Sequence, residues 1–155
     1  MKSKGFTMVE LLVTISIIAI LAVMATPTLV DISTQQNLNK SAVELKGVIN
    51  MAQSKAAIEK KVITVYVGSR PTTPADNVLS WMPSGSSTLA TAKATIYMGP
   101  NYFIQKSATD ADYDGIKKFV ICDGPTASAT SSRVISINRV GLIVDSGTVG
   151  GCSAK

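Results

Sequence analysis

Hydrophobic and polar positions divide the chain into three stretches with different periodicity. The first stretch, residues 6–25, is almost entirely apolar, and Glu10 is its one charged residue. Twenty helical residues rise about 30 Å at about 1.5 Å per residue, which matches the hydrocarbon core of a bilayer. The pattern therefore predicts the membrane-spanning half of a helix over residues 6–29, preceded by a short basic leader at residues 1–5.

The second stretch is amphipathic and predicts that the helix continues outside the membrane. Apolar side chains recur there at steps of four and three residues, which places them on one helical face. They are Leu38, Ala42, Leu45, Ile49, Ala52 and Ala56. Pro27 lies before this stretch, and a proline inside a helix removes a backbone hydrogen bond. We therefore expect one long helix from Phe6 to about Lys60, kinked or locally unwound near Pro27, with residues 30–61 as its amphipathic half.

The third stretch, residues 62–155, changes to a β pattern and predicts a globular head domain. Runs of β-branched and aromatic residues bounded by Gly, Pro and Asn indicate strands. They are Val62–Val67, Thr95–Met98, Tyr102–Ile104, Lys118–Cys122, Val134–Asn138 and Leu142–Asp145. The last two flank a hairpin candidate at 139–141. We expect Trp81 in the core, a flexible segment at 84–87, a loop at 126–132 and a loose tail from residue 146.

Composition and net charge make two classes of function, nucleic-acid binding and catalysis, less favoured. The formal charge is +5, from fifteen basic and ten acidic residues, and removing the leader takes away Lys2 and Lys4 and leaves +3. A balance this small does not by itself indicate nucleic-acid binding. The chain has no His, which removes the usual general base and the commonest transition-metal ligand. No spacing groups a nucleophile with a base, so the sequence does not favour an enzyme.

Two cysteines lie in the last third of the chain, Cys122 and Cys152. Lys2 and Lys4 favour a cytoplasmic N-terminus, which leaves the rest of the chain in an oxidising compartment. We therefore expect a disulfide; two free buried thiols are the alternative. Closing a loop of about thirty residues stabilises a domain by roughly 3–4 kcal/mol in the chain-entropy model.

Glu10 is the chemical anomaly of the first stretch. A carboxylate inside a lipid-length apolar segment costs roughly 2.5–3.5 kcal/mol on insertion scales, so it indicates a function and a positively charged partner. The sequence has no Lys or Arg between Phe6 and Val30. The partner of Glu10 must therefore come from outside this helix.

The residues Gly5-Phe6-Thr7-Met8-Val9-Glu10-Leu11-Leu12 resemble the processing site of type IV prepilins and type II secretion pseudopilins. The resemblance implies that a prepilin peptidase cuts between Gly5 and Phe6 and that the new amine of Phe6 is methylated. It also implies that Glu10 pairs with the Phe6 amine of an adjacent subunit as the filament grows. Charges that are each costly in lipid become tolerable as a pair at low dielectric.

Two other interpretations of the same segment stay open. A secretory signal peptide cut after the apolar run needs small residues in an A-x-A-like pattern, and Val23-Met24-Ala25 matches this only in part. An uncleaved plain anchor is the second.

The family resemblance also implies a fold, partners and a location. The expected fold is α+β and pilin-like, with the long N-terminal helix packed on a mostly antiparallel β-sheet. The head looks most like minor pilins of the FimT/FimU type and the related H-type pseudopilins. The implied partners are other pilins, the prepilin peptidase and an inner-membrane assembly platform. The chain would cross the inner membrane once, N-terminus in the cytoplasm, before entering an extracellular pilus or a periplasmic pseudopilus.

The function that this resemblance implies is structural: a minor pilin that helps to initiate or cap a type IV pilus. Two alternatives stay open, a competence minor pilin that binds DNA and an H-type pseudopilin of type II secretion. No cofactor is expected, with calcium as the one alternative considered below.

Asp110, Asp112 and Asp114, followed by Gly115, fit the opening of a calcium loop, D-x-D-x-D-G. The rest of the loop fails, because Ile121 stands where a bidentate Glu is expected. Asp and Gly also dominate ordinary turns. A solvated turn is therefore the favoured interpretation, and a calcium site is the alternative.

The candidate DNA contacts are basic residues of the C-terminal third: Lys117, Lys118, Arg133, Arg139 and Lys155. Contacts of this kind would make affinity fall steeply with salt. The same segment holds five Asp residues. This balance favours a mixed, solvated surface over a DNA site.

Overall fold

A computed structural model of the chain describes residues 6–73, 75–109 and 115–153, and it leaves out the side chains of residues 24–29. The chain divides into two compact units, residues 1–33 and 34–155. The described part contains one helix, α1 (Met8–Glu59), and eight strands. The strands are β1 (Ile63–Val67), β2 (Val78–Trp81), β3 (Thr88–Leu89), β4 (Ala94–Met98), β5 (Ile104–Gln105), β6 (Lys117–Cys122), β7 (Ser131–Ile137) and β8 (Ile143–Gly150).

The part of α1 in the second unit buries the face that the sequence pattern predicts. Six side chains spaced by four and three residues are fully buried: Leu38, Ala42, Leu45, Ile49, Ala52 and Ala56. Because 3.6 residues make one turn, this spacing aligns them in a stripe. The three alanines leave room for close approach of the strands. The predicted core face is confirmed.

The strands form two four-stranded sheets in this unit. In the first sheet the order is β2-β1-β4-β5, with β1 and β2 parallel and the other neighbours antiparallel. In the second the order is β3-β6-β7-β8, and every pair is antiparallel. Both sheets contribute to one core with α1, through residues such as Val65, Ile96, Phe119 and Ile135. The predicted α+β fold with a mostly antiparallel sheet is confirmed, with the strands divided between two sheets.

Several local predictions for the head were wrong. Tyr102 lies outside a strand, because its φ of +65° belongs to the left-handed region, and β5 begins only at Ile104. The segment 84–87 is held rather than free, since the Ser84 hydroxyl donates to Glu44 at 2.6 Å and the Ser84 N–H donates to the Ser41 hydroxyl at 2.9 Å. Hydrogen bonds to α1 thus fix a segment whose composition suggested flexibility.

The tail is also more ordered than its glycines suggest. β8 continues to Gly150, and β7 starts at Ser131, inside the segment expected to be a loop. The register shifts between Arg133 and Ile135, and on β8 the bulge contains Gly147 at φ +73°. Glycine adopts this left-handed geometry without a steric penalty, so it lets the strand continue past the bulge. Trp81 is 4 % exposed, as expected for a core residue.

α1 runs through Pro27, so the local unwinding predicted there is not found, and a kink at this position stays a prediction. Among the residues that the structure describes, no helix is both long enough and apolar enough to cross a membrane. The transmembrane span predicted over 6–29 is therefore not shown.

Candidate functional site

The start of α1 brings Glu10 into the first helical turn. Thr7 precedes the first helical residue, and its hydroxyl accepts a hydrogen bond from the Glu10 N–H at 3.2 Å. This is the N-cap arrangement, in which a side-chain oxygen satisfies a free backbone donor of the first turn. A carboxylate in the first turn is also favoured by the positive end of the helix dipole.

Thr7 is a site residue whose role the sequence analysis missed. The spacing of Thr7 and Glu10 is that of a capping box, T-x-x-E, and this was the available signal. The observed cap uses the backbone N–H of Glu10, so it does not by itself call for a carboxylate at this position. It does not supply a positive partner, which is the chemistry that a buried Glu10 needs.

The first unit exposes its apolar side chains to the surroundings of the isolated chain. Phe6 is 72 % exposed, and the large apolar side chains from Met8 to Val23 are 48–90 % exposed. The hydroxyls of Thr14 and Ser16 donate to the carbonyls of Leu11 and Leu12 at 2.8 and 2.7 Å. The polar groups of this stretch are thus partly satisfied within the helix, while its apolar surface is uncovered.

The predicted processing site is only partly within the described chain. Phe6 is described and exposed, and Gly5 lies outside the described residues. Cleavage between these two residues and methylation of Phe6 stay predictions.

A disulfide joins Cys122, at the end of β6, to Cys152, with Cα atoms 5.8 Å apart. This agrees with the expectation from the sequence. Beside it, the Asp123 carboxylate accepts hydrogen bonds from the N–H groups of Thr130 and Ser131 at 3.1 and 3.0 Å. The Thr130 hydroxyl also donates to Asp123, at 2.8 Å. Together these contacts close the segment between β6 and β7.

The calcium candidates cannot be placed. Asp110, Asp112 and Asp114 all lie outside the described residues, so the calcium loop stays an untested alternative. Within the described residues no group of His, Cys, Asp or Glu side chains could hold a metal ion.

The structure places two of the basic residues considered as DNA contacts, Lys118 and Arg133, on opposite faces of the second sheet. Arg133 pairs with Ile121 across the sheet, and residues three apart on a strand point to opposite faces, so Lys118 lies on the other face from Arg133. Arg139 lies in the turn after β7, Lys117 begins β6, and Lys155 is outside the described residues.

Arg133 is engaged by an acidic partner. Its guanidinium donates to both oxygens of Asp145, with Nη2 to Oδ2 at 2.6 Å and Nε to Oδ1 at 3.3 Å, and Nη1 donates to Asn39 on α1 at 2.8 Å. Lys46 on α1 also donates to Asp145, at 2.8 Å. A bidentate pair of this kind fixes the guanidinium firmly. Arg133 therefore links β7 and β8 to α1 and is not presented to a phosphate backbone.

The Asp145 carboxylate titrates abnormally because of this cluster. Burial opposes its ionisation, but the hydrogen bonds from Lys46, the Gly147 N–H and Arg133 outweigh burial, so the pKa of Asp145 is lowered from its ordinary value. The Gly147 N–H lies 3.0 Å from Asp145 Oδ1. The bulge on β8 thus supplies one of the donors that keep this carboxylate charged.

Comparison with known proteins agrees with the chemistry of the N-terminal segment. Residues 1–26 match the family model described as the prokaryotic N-terminal methylation motif. The resemblance to type IV prepilins that Gly5–Leu12 indicates is therefore confirmed for this segment. No curated protein sequence matches the chain.

A solved structure similar to this chain is the type IV minor pilin FimU of Pseudomonas aeruginosa. The identity is 17 %, and the match covers 71 % of this chain and 88 % of that one, with a TM-score of 0.47.

Proposed function

We propose that this protein is a structural minor pilin, inserted into a type IV filament through its N-terminal helix. The observation that carries the proposal is the coincidence of a methylation motif at residues 1–26 with an uncovered apolar helix that holds one carboxylate. Exposed apolar surface is unfavourable in water by about 25 cal/mol per Å². Lipid, and then the helices of neighbouring subunits, would remove this surface from water.

Cleavage after Gly5 creates the charge that Glu10 lacks. The new amine belongs to Phe6, four residues before Glu10, and it stays cationic after methylation. In the proposed filament, the Phe6 amine of an incoming subunit pairs with the Glu10 carboxylate of its neighbour, so that neither charge is left unpaired in an apolar environment. Charge neutralisation then favours docking in register over insertion at random depth.

The proposal is tested by removing the Glu10 charge while keeping the side-chain shape. Glu10→Gln should leave cleavage and methylation intact, as read by the mass of the N-terminal peptide, and should reduce incorporation into sheared filaments at least tenfold. Glu59→Gln makes the same chemical change at the other end of α1 and should assemble normally. Gly5→Ala should keep residues 1–5 on the chain.

Normal incorporation of Glu10→Gln would contradict the pairing model. An N-terminus that begins at Met1 in wild-type filaments would contradict processing. Recovery from a periplasmic pseudopilus instead of extracellular pili would assign the chain to type II secretion, which shares this N-terminal chemistry. DNA binding is not proposed, because Arg133 is paired with Asp145 and Lys118 lies on the opposite face of the sheet.

A further inference from the structure

The two cysteines of the disulfide differ in how easily a reactant in solution reaches them. Cys122 and the preceding Ile121 are both fully buried. Cys152 follows the last strand and is partly exposed, and the residues on either side of it are exposed. A thiol or disulfide that approaches the folded head therefore meets Cys152 first.

Neighbouring strands hold Cys122 from both sides. β6 lies between β3 and β7, and Cys122 is in register with Thr88 on β3 and with Ser132 on β7. Exposing its sulfur would require β6 to separate from a neighbour, and core strands open with free energies close to that of global unfolding. Attack on the Cys122 sulfur of the folded head is therefore rare.

The segment that carries Cys152 is held much more loosely. In the part of the chain that the structure describes, residues 151–153 make one backbone hydrogen bond, from the Gly151 N–H to the Thr130 carbonyl at 2.8 Å. A Cβ built on Gly150 or Gly151 would have no atom of the described chain within 4 Å, apart from its own chain neighbours. This segment can therefore shift toward a reactant without disturbing the core.

The end of β8 offers a backbone edge beside Cys152. β8 is the last strand of its sheet, and among the described strands its one neighbour is β7. An edge strand presents unpaired N–H and C=O groups, to which an extended segment of another protein can bond. Residues 148–150 of this edge are exposed. A protein partner can therefore bind next to Cys152 through its backbone, which a small thiol has no means to do.

We propose that Cys152 is the exchange cysteine of the head, the one through which a thiol–disulfide oxidoreductase makes or breaks the bond to Cys122. Cys122 is then the resolving cysteine, which reacts only with the sulfur of Cys152. This role belongs to the second unit and is independent of the chemistry at Glu10.

Bond formation proceeds in two exchange steps. The Cys152 thiolate attacks one sulfur of the oxidoreductase disulfide, so that a mixed disulfide forms and the other sulfur of the partner leaves as a thiolate. The Cys122 sulfur then attacks the Cys152 sulfur, which closes the disulfide and expels the partner. Two electrons and two protons pass from the chain to the oxidoreductase, which ends as a dithiol. Reduction follows the same steps in reverse.

One effect opposes attack on the Cys152 sulfur. This attack expels Cys122 as a thiolate, and a charge that forms away from water is unfavourable. Exchange with a free thiol is slow for this reason, which favours an enzyme as the partner. Attack on the Cys122 sulfur would avoid this charge but would need an opened head, which is only about a thousandth of the population or less in a domain of ordinary stability. Access therefore decides in favour of Cys152.

The first test uses the full wild-type chain in mild detergent with its disulfide intact. The probe is thioredoxin whose second active-site cysteine is replaced by alanine, which stays joined to the sulfur that it attacks. In samples quenched early with acid, peptide masses should place the mixed disulfide on Cys152 at least ten times as often as on Cys122. Reduced glutathione at the same thiol concentration should form its adduct at least tenfold more slowly.

Matched single-cysteine variants separate access from intrinsic reactivity. Cys122→Ala leaves the Cys152 thiol, and Cys152→Ala leaves the Cys122 thiol. With oxidised glutathione, the Cys152 thiol of the folded chain should react at least tenfold faster than the Cys122 thiol. In concentrated urea the two rates should become equal. Trp81 emission reports whether each variant is folded, and the wild-type measurement needs no variant.

Leu45→Ala distinguishes exchange on the folded head from exchange through the unfolded chain. Leu45 is fully buried on α1, and truncation at such a site raises the unfolded population by about a hundredfold or more. Exchange at Cys152 of the folded head should keep its rate within about twofold. Exchange through the unfolded chain would accelerate with the unfolded population.

Three results would overturn the proposal: adducts mainly on Cys122, equal adducts on both cysteines, or acceleration by Leu45→Ala. Equal rates for glutathione and thioredoxin would overturn the choice of a protein partner. Absence of any adduct with either thiol would overturn both parts.

Discussion

The two stretches of α1 place apolar side chains in opposite situations. From Met8 to Val23 the large apolar side chains are 48–90 % exposed, whereas Leu38, Leu45 and Ile49 in the second unit are fully buried. The first stretch is apolar around its whole circumference. The second is apolar on the one face that the sheets cover, and polar on most of the rest.

The difference shows what each stretch requires from its surroundings. One-sided apolar spacing needs one covering surface, which the strands of the same chain provide. All-round apolarity needs cover on every side, and the strands of one small domain cannot provide that. The apolar surface of the first stretch therefore has to be covered by something outside this chain. The apolar face of the second stretch is covered when the head folds.

The largest expected effect is a difference in the stability of the head between equivalent substitutions in the two stretches of α1. Leu45→Ala removes a fully buried side chain and should lower the free energy of unfolding by roughly 3–5 kcal/mol, through lost burial and a cavity. Leu12→Ala makes the same change at a side chain that is 62 % exposed. It should leave the unfolding of the head unchanged.

Urea unfolding of the full chain in mild detergent measures both variants, with Trp81, the single tryptophan, as the fluorescent probe. Equal destabilisation by Leu12→Ala would break the comparison, because it would mean that the head depends on the first stretch.

The next effect concerns covalent closure of the second unit. Cys152→Ser opens a loop with a sequence separation of 30 and should lower the free energy of unfolding by about 3–4 kcal/mol. Wild-type protein treated with a phosphine reductant should unfold at the same urea concentration as this variant. A difference between the two would show that the serine itself perturbs the core.

A smaller effect tests the polar attachment of α1 to β8. Asp145→Asn removes the carboxylate shared by Lys46 and Arg133, and it should lower the free energy of unfolding by about 1–2 kcal/mol, since the side chains involved are partly solvated. Asp76→Asn, at an exposed position, is the control and should be neutral. Urea midpoints of the two variants decide this prediction.

The smallest effect is a dependence on pH. The folded pKa of Asp145 is lowered, so its contribution to stability is fully present above the ordinary aspartate value of about 3.9 and is lost as the pH falls through the lower, folded value. Wild-type stability should therefore decline more steeply below pH 4 than that of Asp145→Asn. Parallel decline in urea titrations between pH 5 and pH 2.5 would contradict this.

Much of the fold was predictable where one periodicity dominates. The core face of α1 follows from steps of four and three, and β1, β4 and β6 follow from runs of β-branched residues. β2 was missed because its four residues follow a proline-containing loop and pair in parallel with β1, which no local signal indicates. β8 was predicted too short because Gly147 resembles a loop residue in the sequence but forms a bulge in the strand.

The candidate site was predictable where its chemistry is local. The single carboxylate of Glu10 within an apolar segment, and the motif around it, can both be read from neighbouring residues in the sequence. The contacts of Arg133 were not predictable from the sequence, because Asp145 lies twelve residues away along the chain and Asn39 lies 94 residues away. Contacts of this kind arise from tertiary packing, so the sequence left Arg133 either on a solvated surface, the favoured interpretation, or as a candidate phosphate contact, whereas the fold uses it as a structural cation.

The bond between Cys122 and Cys152 also has a mechanical consequence when the two ends of the head are pulled apart. β7 and β8 lie inside the closed ring of residues 122–152, so pulling on the chain cannot peel β8 away from its end. Thirty residues at about 3.4 Å each would otherwise add roughly 100 Å of extension when the head is drawn out. The closed ring prevents that extension, so a stretched head stays shorter even after its other strands have unfolded.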